Sequence, residues 1–423
     1  MKAEDRRALA SALGAEGVRE HEPLEIDGLR VGVTLAPASV EALGGALRVL
    51  HERGLAAIVR GGGTRLRFGN PPRRAACFLS TEGLAEVEEL DAEEGVVRVG
   101  AGTPLARLRA ASNAAGWEPP LDAPGAATTI GGVLACAALG PRVAGFGRPR
   151  DAVLGLDVVL ASGVRTRCGG RVVKNVTGYD LAKLYTGSLG TLGVIASAWL
   201  RLRPLPERVE VVAATLPEEL ASFDRAVGAA RLPGARAVAV VDGALAPDLA
   251  ADPVAGSRVR VLVAELAGEA PVVEASLARV AADLGAKPVP AHALERVREV
   301  QGAPLGERGL RVRVDVLPAR IRAVAQRLRD GGARLLVYPG AGLVFAFFEL
   351  ASDASGAEAA LSAAGEAARA GGGGFLVEEA PLAVKRAHDV FGDPPGGLAI
   401  MRALKQKFDP EGILNPGRFA GEI

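Results

Sequence analysis

At 423 residues the chain is too long for one ordinary core, so two domains are expected. Apolar residues make up 49% and charged residues 23%, which excludes disordered and fibrous classes. A net charge of +1 leaves no global field to recruit nucleic acid or a membrane surface.

The N-terminal stretch MKAEDRRALASALG is charged and lacks an apolar core, so it does not read as a secretory signal. Val31, Val33 and Leu35 alternate as in a strand that Pro37 ends. Ser39 is the expected N-cap of a helix with Val40, Leu43, Leu47 and Leu50 on one face, closed by Gly54. A short strand over 56–60 then runs into three consecutive glycines. Val96–Val99 is strand-like, and Thr103 is positioned to cap a helix carrying Leu105 and Leu108. Residues 155–167 read as a hairpin turning at Ser162-Gly163. Alternation returns over 192–202, and Pro204 and Pro206 mark a boundary.

Beyond Pro206 the pattern changes. Strands are expected over 210–214, 235–241, 259–265, 310–316, 334–337, 343–349 and 374–377. Helices are expected near 217–230, 270–284, 318–330 and 356–370. That mixture predicts an α+β second domain with an antiparallel sheet. The tail carries a helix over 396–408 and the turn sequence Asp409-Pro410-Glu411-Gly412. The expected domains are therefore 1–205, 206–390 and a returning segment 391–423. No run of about 18 apolar residues is present, so no spanning helix and no direct membrane insertion are expected.

Three segments could carry chemistry. In Arg60-Gly61-Gly62-Gly63-Thr64, consecutive glycines let backbone N–H groups converge into a nest for a pyrophosphate. No Gly-Lys-Ser/Thr follows, so this is not a Walker loop. The run Pro124-Gly125-Ala126-Ala127-Thr128-Thr129-Ile130-Gly131-Gly132 reads as a tight loop, with Thr128 and Thr129 able to donate to phosphate or flavin oxygens. The third runs from Val172 through Lys174, Asn175, Thr177, Gly178, Tyr179 and Asp180 to Gly187, Gly190, Gly193 and Ile195. It enters a strand where a Rossmann fingerprint enters a helix, which disfavours an ordinary Rossmann fold.

Cys77, Cys136 and Cys168 are widely spaced and fit neither a disulfide framework nor a CxxC site. Three thiols also fall short of the four that iron–sulfur clusters usually take. A reducing, cytoplasmic setting is expected, with any contact to the inner membrane made through partners. His21, His51, His292 and His388 are scattered, so no metal site is assigned. His388 stands nearest the returning tail and is the best placed histidine for a base, and no catalytic residue is assigned.

Taken in order, these three segments and the closing run Phe408-Asp409-Pro410 … Leu414-Asn415-Pro416-Gly417-Arg418-Phe419 resemble the vanillyl-alcohol-oxidase / p-cresol-methylhydroxylase (PCMH) flavoprotein superfamily. Within it, the Lys174–Asp180 loop and the Leu414–Arg418 motif are similar to the FAD-binding E subunit of glycolate oxidase. The resemblance covers about 25–205 and the last thirty residues. It implies an α+β fold: a two-subdomain PCMH-type FAD-binding domain, a cap, and a tail returning to the FAD site. It implies that Arg60, Gly61, Gly62, Gly63 and Thr64 meet the pyrophosphate. Pro124, Gly125, Thr128, Thr129, Gly131 and Gly132 would wrap the flavin–pyrophosphate region. Gly187, Gly190 and Ile195 would lie near the adenosine half, Asn415 near the flavin edge, and Lys174 and Tyr179 close to the isoalloxazine. Thr64 and Ala126 stand near the places where covalent members carry His or Cys, so non-covalent FAD is expected.

The function implied is oxidation of a 2-hydroxy acid such as glycolate, with a second flavoprotein subunit and an iron–sulfur subunit as partners. Two alternatives are a flavin electron-transfer or assembly subunit that never touches substrate, and a stand-alone FAD alcohol oxidase. An arginine is expected to clamp the substrate carboxylate, with Arg148, Arg311, Arg313 and Arg418 as candidates.

Overall fold

The structure, a computed structural model, describes residues 1–171, 179–249, 259–351, 354–392 and 396–423. Its first sheet opens with a hairpin, Val18–Ile26 against Leu29–Leu35. The connecting Asp27 and Gly28 both take positive φ (47° and 83°), as a two-residue turn that matches strand twist requires. Leu29–Leu35 runs parallel to Cys77–Ser80, and that strand runs parallel to Ala57–Arg60. The helix Val40–Glu52 lies between them in sequence. Ser39 Oγ accepts from the Ala42 amide at 3.1 Å, and Leu43, Leu47 and Leu50 are buried, as the sequence predicts. The C-terminal segment returns to the edge of this sheet. The Ala57 amide donates to the Ile413 carbonyl at 2.8 Å, and the Asn415 amide donates to the Ala57 carbonyl at 3.0 Å.

The second sheet is antiparallel, in the order Val87–Asp91, Val96–Gly100, Val194–Arg201, Val153–Val159, Arg165–Gly169. Two local expectations are corrected here. Thr103 does not cap the helix Leu105–Ala114. Pro104 occupies the cap position without a side-chain bond, and the Thr103 hydroxyl donates to the Glu86 carbonyl at 3.2 Å instead. The 124–132 run is not loop throughout, because Thr129 Oγ1 accepts from the Gly132 amide and opens a helix, Ile130–Cys136. Gly131 is small for packing: a Cβ there would lie 2.8 Å from Ala101 Cβ.

Eight antiparallel strands form the third sheet, the cap. Their order is Lys287–Pro288, Arg208–Pro217, Val259–Gly268, Ala235–Asp242, Arg334–Tyr338, Leu343–Glu349, Gly309–Asp315, Phe375–Glu379. One face packs on Ala221–Ala229, Ala270–Leu284, Ile321–Asp330 and Ala354–Gly371 around Phe223, Leu262, Val312, Leu328 and Ala364. The other face takes the helix His292–Gly302 together with Leu139 and Val143 from the preceding domain. The cap is thereby seated on the segment around Leu139 and Val143.

Charge fixes that seat. Asp122 is buried and accepts from Arg298 Nε at 2.8 Å, Arg109 Nη2 at 3.1 Å and the Arg142 amide at 2.9 Å. Burial alone would raise its pKa, but Arg298, Arg109 and Arg142 together hold the carboxyl below its usual range. Arg142 continues the network to buried Glu265 through bonds of 2.8 and 2.7 Å, and Arg236 joins Glu265 to Glu118. The Tyr338 hydroxyl and Gln301 complete the contact, with Gln301 donating to the Leu139 carbonyl.

Candidate cofactor and substrate site

The strand Ala57–Arg60 delivers the glycine loop to an open cleft of about 760 Å³. Arg60, Gly61, Gly62, Gly63, Thr64, Thr129, Gly131, Gly132, Gly190, Ile195 and Asn415 all line it. The glycines are required sterically. A Cβ at Gly61 would lie 2.1 Å from Thr129 Oγ1, and one at Gly62 would lie 1.6 Å from the Ala127 carbonyl oxygen. Gly63 has φ 76°, which side chains other than glycine adopt at a cost. Among the described residues, no hydrogen bond uses the amides of Gly61, Gly62 or Gly63.

Asn415 ties the returning tail to the cleft. Its Oδ1 accepts from the Val59 amide at 3.0 Å, and its Nδ2 donates to the Leu189 carbonyl at 2.6 Å. Thr128 is buried behind the loop, donating to the Pro124 carbonyl at 2.7 Å and bonding Thr64 Oγ1 at 3.1 Å. Besides Thr128, four expected contacts do not line this cleft. Gly187 lines a separate apolar groove with Leu184, Leu192 and Met401: Gly187, Ser188, Thr191 and Leu192 face that groove, and Leu189, Gly190 and Gly193–Ile195 face the cleft. Pro124 and Gly125 line the pocket on the cap side. Tyr179 stands 94% exposed and is not among the cleft residues. Lys174 lies outside the described residues.

Sequence reasoning missed Arg65, Leu66, Phe68 and Ala135 in the cleft wall, which Cys136 also lines. Arg418, one of the four arginines considered for the substrate clamp, lines this cleft. Arg418 is 5% exposed, and its Nη2 donates to the Leu66 carbonyl at 2.6 Å and to the Phe68 carbonyl. Burial pushes the Cys136 thiol pKa up, against the opposing pull of Arg65 and Arg418.

A second pocket of about 930 Å³ shares Gly63, Thr64, Arg65, Leu66 and Phe68 with the cleft. Its far wall is the cap, contributing Gln301, Gly302, Pro304, Arg311, Glu378 and Glu379. Arg311 Nη2 donates to Glu379 Oε2 at 3.0 Å, and the Leu305 amide donates to Glu379 Oε1 at 3.3 Å. Arg65 approaches Glu378 at 3.6 Å, and Arg67 approaches Glu379 at 3.4 Å. Burial lowers the Arg311 pKa, and the two glutamates partly offset that. Of the other clamp candidates, Arg313 pairs with Asp315 and Glu378, and Arg148 is half exposed and pairs with Asp315, in neither pocket. His388 is exposed and lines neither, so it is not placed to act as a base there. Among the described residues, no group of three or more His, Cys, Asp or Glu side chains could hold a metal ion. No described helix is long and apolar enough to cross a membrane.

Residues 32–169 match the family model described as an FAD binding domain, and residues 392–419 match the C-terminal domain of FAD linked oxidases. The chain is 32% identical over 427 residues to D-lactate dehydrogenase of Archaeoglobus fulgidus, covering 92% of each chain. It is 42% identical over 118 residues to glycolate oxidase subunit GlcE of Escherichia coli K12, covering 27% of this chain and 34% of that protein. Its fold superposes on p-cresol methylhydroxylase with a TM-score of 0.70 and 16% identity, covering 98% of this chain and 96% of the other, which is a likeness of fold alone.

FAD fits the cleft on two observations. The nest amides lack partners, and Arg60 Nε and Arg418 Nη1 are buried without a hydrogen-bond partner. Unpaired buried donors of this kind are satisfied by an acceptor-rich ligand such as a pyrophosphate or a flavin edge.

Proposed function

Because this chain belongs to the FAD-linked oxidases and FAD is its cofactor, we propose that it oxidises a small 2-hydroxy acid at the junction of the cleft and the cap-side pocket. One observation carries the reading: the two cavities share Gly63 through Leu66 and Phe68, and the shared wall bears Arg65 while the far wall bears Arg311. A substrate carboxylate is attracted to such guanidiniums, and bidentate geometry fixes its orientation. Bound FAD supplies a two-electron acceptor. The Gly61–Gly63 amides would hold the pyrophosphate, with Thr129 and Gly132 toward the flavin and Gly190 and Ile195 toward the adenosine half. Gln301, fixed between Tyr338 and Leu139, closes the pocket toward the cap. The end-to-end similarity to a D-lactate dehydrogenase supports a 2-hydroxy acid substrate.

The similarity to a glycolate oxidase subunit supports work inside a complex, with a second flavoprotein subunit and an iron–sulfur subunit to carry electrons away. A stand-alone dehydrogenase is the second reading, favoured by the same full-length match. Pull-down of the tagged chain from its native host separates the two. Co-purification of flavin- and iron–sulfur-containing subunits is expected. Recovery only as free chain, with full turnover of D-lactate or glycolate to a soluble acceptor, would promote the stand-alone reading.

The flavin is held non-covalently. The thiol in the cleft wall, Cys136, is kept protonated by burial, and a thiol is a poor nucleophile compared with its thiolate. Acid precipitation is therefore expected to leave yellow flavin in the supernatant. Colour that stays with the pellet contradicts this.

A further inference from the structure

Most buried carboxylates of the cap are saturated with donors. Glu265 accepts from Arg142 and Arg236, Asp242 from Arg260 and the Leu335 amide, and Glu379 from Arg311 and the Leu305 amide. Glu378 is different. Its side chain is 2% exposed, Oε2 is buried without a partner, and no described residue donates a hydrogen bond to either oxygen. Arg65, Arg311 and Arg313 stand 3.6, 3.5 and 3.7 Å away, within ion-pair reach but outside hydrogen-bond geometry. A buried acceptor left open carries a desolvation cost, and a catalytic role or a bound partner is among the reasons proteins retain such groups.

Glu378 also lies in the right place. It lines the cap-side pocket, and Arg65, which faces it, belongs to the wall shared with the FAD cleft. A pocket that offers guanidiniums beside an open carboxylate matches a ligand with a carboxylate and a neighbouring hydroxyl.

Building on the 2-hydroxy acid reading above, we propose that Glu378 is the proton acceptor of the reaction, with Arg65 holding the substrate carboxylate. The substrate O–H bond breaks and its proton bonds to a Glu378 oxygen. The Cα–H bond breaks with its electron pair, which passes as hydride to the bound FAD. A carbon–oxygen double bond forms, so the hydroxy acid loses two electrons, FAD gains two, and Glu378 returns its proton to solvent between turnovers.

The test compares wild type, E378Q and E378D as purified FAD-loaded proteins. Oxalate, a dicarboxylate that cannot be oxidised this way, is titrated against the visible flavin spectrum. Anaerobic flavin bleaching by D-lactate and glycolate is then timed. E378Q is expected to keep wild-type FAD content and bind oxalate within about threefold. Its bleaching should slow by about 10²–10⁴-fold, the usual worth of a positioned base. E378D, which retains the carboxylate, should recover at least tenfold of that loss, and it supplies the comparison if E378Q does not fold. E378Q bleaching within threefold of wild type overturns the assignment. So does loss of oxalate binding with FAD retained, because Glu378 would then only organise the arginines. A wild type that neither acid bleaches sinks the underlying 2-hydroxy acid reading as well, whereas a bleaching wild type with an unimpaired E378Q sinks Glu378 alone.

Discussion

The Gly62→Asp protein is expected to purify without flavin while its cap domain keeps its fold. The site has no room for a side chain: a Cβ would overlap the Ala127 carbonyl oxygen at 1.6 Å and stand 2.7 Å from its carbon. Both are backbone atoms, so two loops must separate, and overpacking of this kind costs about 1–3 kcal/mol. The carboxylate adds repulsion toward a pyrophosphate, about 4 kcal/mol at ~4 Å and an effective dielectric near 20, an upper-end figure. At about 1.4 kcal/mol per decade, the sum weakens FAD binding by roughly three orders of magnitude or more. Gly62→Ala isolates the steric part and should lose about one to two decades by the same arithmetic. The cap should be spared, because the core under its helices is drawn from residues beyond 210. Flavin-to-protein ratio and FAD titration read the first effect, and thermal unfolding reads the second. Wild-type flavin content in Gly62→Asp contradicts the assignment of this loop.

Asp122→Ala is expected to loosen the cap from the FAD domain. Removing the carboxylate leaves buried Arg298 with only the half-exposed Glu295 as a carboxylate partner, leaves Arg109 without one, and orphans the Arg142 amide. Breaking one partner of a buried pair typically costs about 3–5 kcal/mol. For a domain of this size that corresponds to a fall in Tm on the order of 10 °C. The pH dependence has a definite sign. Asp122 has a folded pKa below its unfolded value, so its contribution is fully present above about pH 3.9 and is lost as pH falls through the lower folded value. The Tm gap between wild type and Asp122→Ala should therefore be constant near neutrality and narrow only in strong acid. A variant as stable as wild type at pH 7 would show that the network does not seat the cap.

Much of the cofactor side was legible in the sequence because its signals are local. Gly61, Gly62 and Gly63 stand out in the sequence as a run that only glycine allows, and the structure gives the reasons: a Cβ at Gly61 or Gly62 would clash with Thr129 or Ala127, and Gly63 has a positive φ. The Ser39 cap, the Ser162-Gly163 turn and the alternating cap strands were likewise set by neighbours in the chain. The cap's strand order was not legible, since Gly309–Asp315 sits between Leu343–Glu349 and Phe375–Glu379 through long-range pairing. Thr103 illustrates a smaller failure: a good capping residue found a competing acceptor, the Glu86 carbonyl, across the sheet. Buried charge was the least visible feature. Asp122 and Arg298 are 176 positions apart, and Arg142 and Glu265 are 123 apart. In the sequence each resembles an ordinary solvated residue. Glu378 and Glu379 carried no motif, and only the meeting of the cap with the glycine loop brings them beside Arg65 and Arg67.

The central claim is that one cavity system binds FAD and presents a 2-hydroxy acid to it. Single-turnover mixing of the purified, FAD-loaded chain with D-lactate, glycolate or D-2-hydroxyglutarate under anaerobic conditions tests this most directly, because it needs no partner subunit and no electron acceptor beyond the bound flavin. Loss of the visible flavin absorbance with at least one of these acids, with one equivalent of 2-oxo acid formed per flavin, is the expected result. Fully loaded protein whose flavin stays oxidised with all three would contradict the account and leave the chain as a flavin-carrying subunit that does not meet substrate.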